Sequence, residues 1–327
     1  MTQIKIKLLI VAALVSLVMT GCSMNLSLTE DYTKPLKEIT IQGSGSNKVL
    51  VIPIKGFISD AEQEEMMRKK PSFLMRIVSQ LKRAENDASI RAIVLKISSP
   101  GGTVTASDML YNELNKLKMK RGIPLVVCMM DVATSGGYYV SLPADHIVAH
   151  QTTITGSIGV VFIRPKISRL MDKIGIDVET SKSGKDKDMG SPFRSTTDEE
   201  LKLFQAIIDE MSDLFESKIR AHRKLTDDAM KEILMAKVYT AKQALQLGMI
   251  DQIGYTDDAI DKAKELADLD SDARVIMYRR VEFADDNIYN DITARSLTGT
   301  PLLDLGPLSR LSNLNAGLYY AWPAAIE

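Results

Sequence analysis

The stretch Asp131-Val132-Ala133-Thr134-Ser135-Gly136-Gly137-Tyr138-Tyr139-Val140-Ser141 puts a serine where it can do covalent chemistry. An apolar run from Ile123 to Met130 precedes it and predicts a fully buried strand. Ser135 then stands at the turn from that strand into a short helix. Ala133 and Gly137 flank it at two positions on either side, so strand and helix can approach closely, as at a nucleophile elbow. In that geometry the hydroxyl projects from a tight bend, and the Gly136 N–H can donate to an oxyanion with help from the helix dipole. The same residues also suit a plain helix cap, in which Ser135 does no more than accept a backbone N–H.

A second donor can come from Ser98-Ser99-Pro100-Gly101-Gly102, a turn by composition. A double glycine lets a backbone N–H reach a reacting carbonyl with no side chain in the way. Gly102 and Gly136 could therefore form an oxyanion hole, with a simple turn as the plainer reading of Gly101-Gly102.

A serine nucleophile also needs a proton acceptor. The chain has three histidines, His146, His150 and His222. His222 falls on a long charged helix and is expected to be solvated. His146 alternates with Val148 on a short strand and is expected to be structural. His150, at a strand end after the nucleophile, could return to the site. The competing base is a lysine. Its reference pKa of about 10.4 makes it useless until burial lowers it to about 7–8. The segment Lys182 to Lys187 supplies three lysines, and Ser157 supplies a hydroxyl that could orient one of them. Spacing alone does not choose among these candidates.

The elements that must position these groups follow from periodicity. Val49 to Ile54 and Ala92 to Ile97 read as buried strands. Ser72 to Glu85 reads as a helix, as does Val104 to Met119 with Met109, Leu110, Leu114 and Leu117 inward; Gly122 ends the latter. This is a β-loop-α-β unit, and such crossovers place their strands parallel. Gly101-Gly102 and Ser135 then both follow the carboxyl ends of strands, the edge at which parallel sheets hold their sites. Further on, Lys166 to Ile174 reads as helical and Asp177 to Thr180 as extended. Thr197-Asp198-Glu199-Glu200 is a capping box that opens a long helix. Arg274 to Tyr278 is the last strand expected, and the Gly- and Pro-punctuated stretch from Phe283 onward reads as a weakly structured extension bearing the apolar patch Leu318-Tyr319-Tyr320-Ala321-Trp322.

The chain has 327 residues, 45% of them hydrophobic and 25% charged, with a net charge of −1. That balance argues against a dedicated nucleic-acid binder. Two cysteines, Cys22 and Cys128, define no disulfide framework, and no Cys/His cluster suggests a metal site. No cofactor is expected. Lys5 and Lys7 precede an apolar run from Leu8 to Met19, the pattern of an export signal. The run ends Met19-Thr20-Gly21-Cys22, which resembles the lipobox of bacterial lipoproteins and implies cleavage before a lipidated Cys22. Acyl chains there would hold the protein on a membrane. Ser23 rather than Asp follows, so the inner-membrane retention rule of Gram-negative lipoproteins is not met. Residues 22–47 are polar, carry Gly43-Ser44-Gly45-Ser46, and read as a tether.

Taken together, the chain resembles the signal peptide peptidase A family, serine peptidase family S49, with its ClpP/crotonase-like fold. The matching stretches are Ser98-Ser99-Pro100-Gly101-Gly102, Thr134 to Tyr139, Thr155-Gly156-Ser157-Ile158-Gly159-Val160, Ser183 to Asp188 with Ser191-Pro192, and Val238-Tyr239-Thr240-Ala241 running to Asp251. The resemblance implies an α/β fold with a parallel sheet of repeated β-α-β units. It implies a Ser/Lys dyad with Ser135 as nucleophile, Lys187 as base, Ser157 orienting that lysine, and Gly102 and Gly136 as oxyanion donors. It implies a homo-oligomeric ring, because serine and lysine can come from adjacent subunits in this family and the chain holds one copy of each motif. His150-Gln151 departs from the family pattern; a His-Gln pair at a similar place carries the catalytic histidine in ClpP.

The expected organisation is a lipoprotein-type signal peptide at 1–21, a tether at 22–47, a peptidase domain at 48–282 and an extension at 283–327. The expected function is a membrane-anchored serine endopeptidase of the bacterial envelope, facing outside the cytoplasm (the periplasm in a Gram-negative cell). It would cleave apolar peptides, including remnant signal peptides, through an acyl-enzyme. The alternatives are a catalytically silent membrane scaffold and a crotonase-like acyl-CoA enzyme.

Overall fold

The computed structural model describes residues 32, 34–65, 68–280, 286–289 and 317–323. The expected signal segment and Cys22 lie outside the described residues. The strands, in chain order, are β1 (Lys37–Gln42), β2 (Lys48–Lys55), β3 (Gln63–Glu65), β4 (Arg68–Lys70), β5 (Ile90–Ser99), β6 (Gly101–Thr103), β7 (Leu125–Thr134), β8 (His146–Ala149), β9 (Ile154–Gly156), β10 (Val161–Ile163), β11 (Val238–Thr240), β12 (Gln252–Ile253), β13 (Arg274–Arg279) and β14 (Gly317–Ala321). The helices are α1 (Phe73–Glu85), α2 (Val104–Arg121), α3 (Gly136–Tyr139), α4 (Ser168–Ile174), α5 (Asp198–His222), α6 (Asp227–Ile233), α7 (Ala241–Gln246) and α8 (Thr256–Leu266).

The main sheet runs β1-β13-β2-β5-β7-β8-β12, parallel from β13 onward. Its central strands read as continuous apolar runs because both faces are covered. On one face α1 and α2 bury Ile77, Leu81, Leu110 and Leu114 against Ile52, Leu95 and Val127. On the other face α8 sets Ala259, Ile260 and Ala263 against Val49, Val94, Val126 and Val148. The helix boundaries follow local chemistry. Ser72 and Thr103 cap α1 and α2 by accepting from the N–H groups of Met75 and Ala106. Gly122 closes α2 in the left-handed conformation at φ 60°. Thr197 and Glu200 form the expected capping box on α5. Among the described residues no helix is long and apolar enough to cross a membrane.

The structure corrects the sequence reading in several places. Lys37–Gln42, expected within the tether, is an antiparallel edge strand on β13. Ile39 turns into the core while Glu38 on the opposite side holds Lys48 at 2.8 Å, a short alternating pattern masked by polar neighbours. Met109 faces solvent rather than the core. Asp177–Thr180 forms no strand. β13 is not the last strand: Gly317–Ala321, expected to be weakly structured, pairs between β10 and β6 in a second, antiparallel sheet. Its alternation is hidden because Tyr319, Tyr320 and Ala321 are all buried.

Candidate active site

Ser135 sits where β7 ends and α3 begins, with φ 52° and ψ −112°. Positive φ is costly for any residue with a Cβ, roughly 1–3 kcal/mol, and is retained where the surroundings force it. Here they do. The Ser135 N–H donates to the Gly156 carbonyl at 2.7 Å, and its own carbonyl accepts from Tyr139 N–H at 2.8 Å. The side chain is fully buried and Oγ has no hydrogen-bond partner among the described residues. It makes no capping bond to α3, which removes the plain-cap reading. The helix itself is a single turn, shorter than a dipole argument needs.

The glycines around Ser135 are there because backbone passes backbone. A Cβ on Gly101, whose φ is 106°, would lie 2.0 Å from the Tyr320 carbonyl oxygen and 2.9 Å from Gly136 N. A Cβ on Gly136 would lie 2.5 Å from Ser107 Oγ and 3.1 Å from Gly101 Cα. The two expected oxyanion segments therefore adjoin each other. On one edge of β6, Gly101 O accepts from Ile58 N–H at 2.9 Å and Thr103 N–H donates to Ile58 O at 3.0 Å. That turns the Gly102 N–H to the opposite edge, toward β14. Trp322 N–H donates to Pro100 O at 2.9 Å, and Tyr320 stands opposite Gly102, so the alternation of an antiparallel ladder makes Tyr320–Gly102 a hydrogen-bonded pair. The carbonyl of Tyr320 occupies the Gly102 donor.

Ser157 follows β9, whose Gly156 is opposite Thr134 at the end of β7. It too has positive φ, 51°, and its N–H donates to Lys237 O at 2.6 Å. Ser135 and Ser157 thus stand on adjoining strand ends.

Lys182 is committed to Asp188 at 2.7 Å, and Lys185 is committed to Glu199. Asp188 also holds Arg194, whose guanidinium reaches on to Glu200. Hydrogen bonds from Arg194 and Lys182 hold the Asp188 carboxyl well below the usual range, and Arg194 together with the Thr197 N–H lowers Glu200 to about 2. Lys187 is exposed, its backbone N–H bonds to Gly184 O at 3.2 Å, and alone of the three lysines its ammonium pairs with no described residue. It makes no bond to Ser135 in this chain. The single protomer brings together Ser135, Gly136, Gly101-Gly102 and Ser157, and leaves Lys187 out.

The histidines are engaged elsewhere. His150 Nδ1 lies 3.0 Å from Thr152 Oγ1, and its ring meets Tyr255 edge-on at 4.8 Å. His146 Nε2 lies 3.1 Å from Gln252 Oε1. His222, expected to be solvated, is half-buried with Nε2 at 2.7 Å from the Tyr111 hydroxyl. Sequence reasoning missed the aromatic cluster behind Ser135. Tyr139 hydrogen-bonds Asp108 at 2.7 Å and packs against Tyr111, Phe215 and Tyr320. Its members are scattered along the chain, and only the apolar patch around Tyr320 gave any signal.

A parallel sheet with a strained serine at a strand's carboxyl end and glycine-lined backbone facing it defines a hydrolase of the ClpP-like fold. The family model for Clp protease matches residues 67–159, and that for peptidase family S49 matches residues 117–270. An Enterococcus faecium protein assigned the name signal peptide peptidase SppA is 33% identical over 243 residues, 74% of this chain and 70% of that protein. Protease 4 of Haemophilus influenzae is 30% identical over 264 residues, 81% of this chain but 42% of its own length. The chloroplastic serine protease SPPA of Arabidopsis thaliana is 32% identical over 253 residues, 76% of this chain and 37% of its own. The chain belongs to peptidase family S49.

Proposed function

We propose that this protein is a serine endopeptidase of the cell envelope that cleaves apolar peptides, remnant signal peptides among them, by a Ser/Lys dyad. Ser135 Oγ attacks the scissile carbonyl. Lys187 takes the proton and returns it to the leaving amine. Gly102 and Gly136 N–H groups hold the oxyanion, and Ser157 orients the lysine. The resulting acyl-enzyme is released by water. Cys22, lipidated, anchors the chain to the membrane with the domain outside the cytoplasm. Because the Lys187 ammonium does not meet Ser135 within one chain, the base comes from a neighbouring copy in a homo-oligomeric ring.

The observation that carries this reading is the Ser135 hydroxyl: buried, without a partner among the described residues, and held at φ 52° where only an external demand justifies the strain. The test is complementation. Ser135→Ala and Lys187→Met chains are each expected to be inactive on peptides. Co-assembled at equal amounts, they should recover about a quarter of wild-type activity, since half the serines are intact and half of those face an intact lysine across a head-to-tail interface. No recovery, with both variants assembled, refutes the shared site. Activity of either variant alone refutes the dyad.

A further inference from the structure

Lys187 stands on a loop that one side chain ties down. Arg194 reaches back to Asp188, the residue after Lys187, and grips both its side chain and its main chain. Arg194 Nε donates to Asp188 Oδ2 at 2.8 Å, and Nη2 donates to Oδ1 at 3.0 Å and to the Asp188 carbonyl at 3.1 Å. The same guanidinium also meets α5, with Nη1 donating to Glu200 Oε2 at 3.0 Å and Nη2 donating to Oε1. Glu200 is itself fixed: it is buried, and it accepts from the Thr197 N–H at 2.8 Å in the capping box. Between Asp188 and Arg194 the chain is held at Ser191, whose carbonyl accepts from Lys166 Nζ at 2.6 Å, and at Pro192, whose carbonyl accepts from the Ile167 N–H at 2.9 Å. The main chain at Asp188 is thus pinned to the first turn of α5, while the Lys187 side chain stays exposed.

We propose that Arg194 is a positioning residue for the base: it fixes the main chain from which Lys187 extends, and it offsets the carboxylates that would otherwise favour a charged lysine. The inference rests on the proposed role of Lys187. Its first half is geometric. A planar guanidinium presents a fork of N–H donors and can hold two carboxylates and a carbonyl together, whereas an ammonium is a point charge. A catalytic group displaced by about 1 Å can cost on the order of a hundredfold in rate, so the anchor of the base matters as much as its chemistry. The second half is electrostatic. Asp188 and Glu200 are matched by Arg194 and Lys182, so the cluster is neutral as a whole. Lys185 and Glu199 cancel in the same way. The remaining charges here are exposed Asp186 and Asp198, with Arg164 and Lys166 from the segment before α4. A carboxylate left without its cation beside Lys187 would hold the lysine protonated and remove the base.

The test measures kcat and KM of the full chain on an apolar fluorogenic peptide, from about pH 6 to about pH 10 at low salt. It compares wild type with Arg194→Lys, Arg194→Gln and Asp188→Asn, each checked for helix content and assembled mass. Asp188 and Glu200 stay ionised across that range, since Arg194 already holds both carboxyls low. Arg194→Lys keeps the charge and loses the fork: kcat should fall about tenfold, with KM and the pH of half-maximal rate nearly unmoved. Arg194→Gln loses both, so kcat should fall further and the profile should move up by about 0.3–0.5 pH unit. Asp188→Asn leaves the cluster with an excess positive charge, and its profile should move down by a similar amount. Loss of packing alone would not move the profile in opposite directions for two substitutions that break the same contact. Should Arg194→Gln fail to fold, Arg194→Lys and Asp188→Asn still decide the matter. Wild-type kcat in both of those, a raised KM with kcat unchanged, or profiles that move the same way would overturn the inference and leave the dyad standing. A Lys187→Met chain as active as wild type would sink the dyad, and this inference with it.

Discussion

Replacing Ser135 should make this protein more stable as it abolishes catalysis. Two costs meet at that residue. The hydroxyl is buried with no partner among the described residues, a deficit of about 1–3 kcal/mol. The backbone is at φ 52° and ψ −112°, costing a further 1–3 kcal/mol or so for any residue with a Cβ. Ser135→Ala removes the first and keeps the second, so it should stabilise by about 1 kcal/mol or more. Ser135→Gly removes both, and returns roughly 0.5–1 kcal/mol to the flexibility of the unfolded chain. Its net gain should be about 1–5 kcal/mol, larger than that of Ser135→Ala. With a urea slope of roughly 2–3 kcal/mol/M, a gain of about 2 kcal/mol moves the midpoint up by about 0.7–1 M. Urea unfolding at fixed protein concentration, followed by circular dichroism, reads the order directly. Ser135→Gly at or below wild type, or below Ser135→Ala, would refute the claim that strain is stored at Ser135.

Two further outcomes follow from groups outside the dyad. Burial, with Lys118 and Lys218 nearby, pushes the His222 pKa below its ordinary 6.5. The unfolded chain therefore takes up this proton at a pH where the folded one does not; the stability His222 contributes is whole above about 6.5 and is lost as pH falls through the lowered value. His222→Gln, which keeps a partner for Tyr111, should flatten the fall of the urea midpoint between about pH 7 and 5, and an unchanged slope would count against it. Burial raises the Cys128 thiol to about 11, so a thiol reagent at neutral pH should label it only on unfolding. If Cys22 is lipidated through its sulfur, the unfolded mature protein should then show one reactive thiol of the two cysteines in the sequence; two would sink the lipoprotein reading.

The sheet was legible because its strands are buried on both faces. Runs such as Val49 to Ile54 and Ile123 to Met130 admit few other structures, and caps such as Ser72, Thr197 and Gly122 act through local bonds that short sequence patterns encode. Ser135 was legible as a candidate because the small residues around it meet a steric demand. What stayed hidden depends on distant partners. β1 is a strand only because β13 offers it an edge, and β14 only because β6 and β10 leave a gap between them. The choice of lysine was likewise closed to spacing: Lys182, Lys185 and Lys187 look alike in sequence, and they separate only when Asp188 and Glu199 engage the first two.

The proposed dyad places opposite demands on its two members, and this fold meets them in different ways. A nucleophile needs a fixed position, which the parallel sheet supplies through Gly156, Tyr139 and the packing of β7. A lysine base needs to be uncharged near neutral pH, which takes a fall of about three pKa units and hence burial worth roughly 4 kcal/mol. Lys187 in one chain is exposed, so nothing here provides that burial. The same loop is flanked by exposed Leu170, Ile174, Ile176 and Val178, apolar surface that a second copy could cover while it encloses the amine. On this view the isolated chain holds an incomplete site, because its exposed Lys187 makes no bond to Ser135. Assembly would complete it, so peptide cleavage should rise with protein concentration more steeply than in simple proportion until the ring is complete.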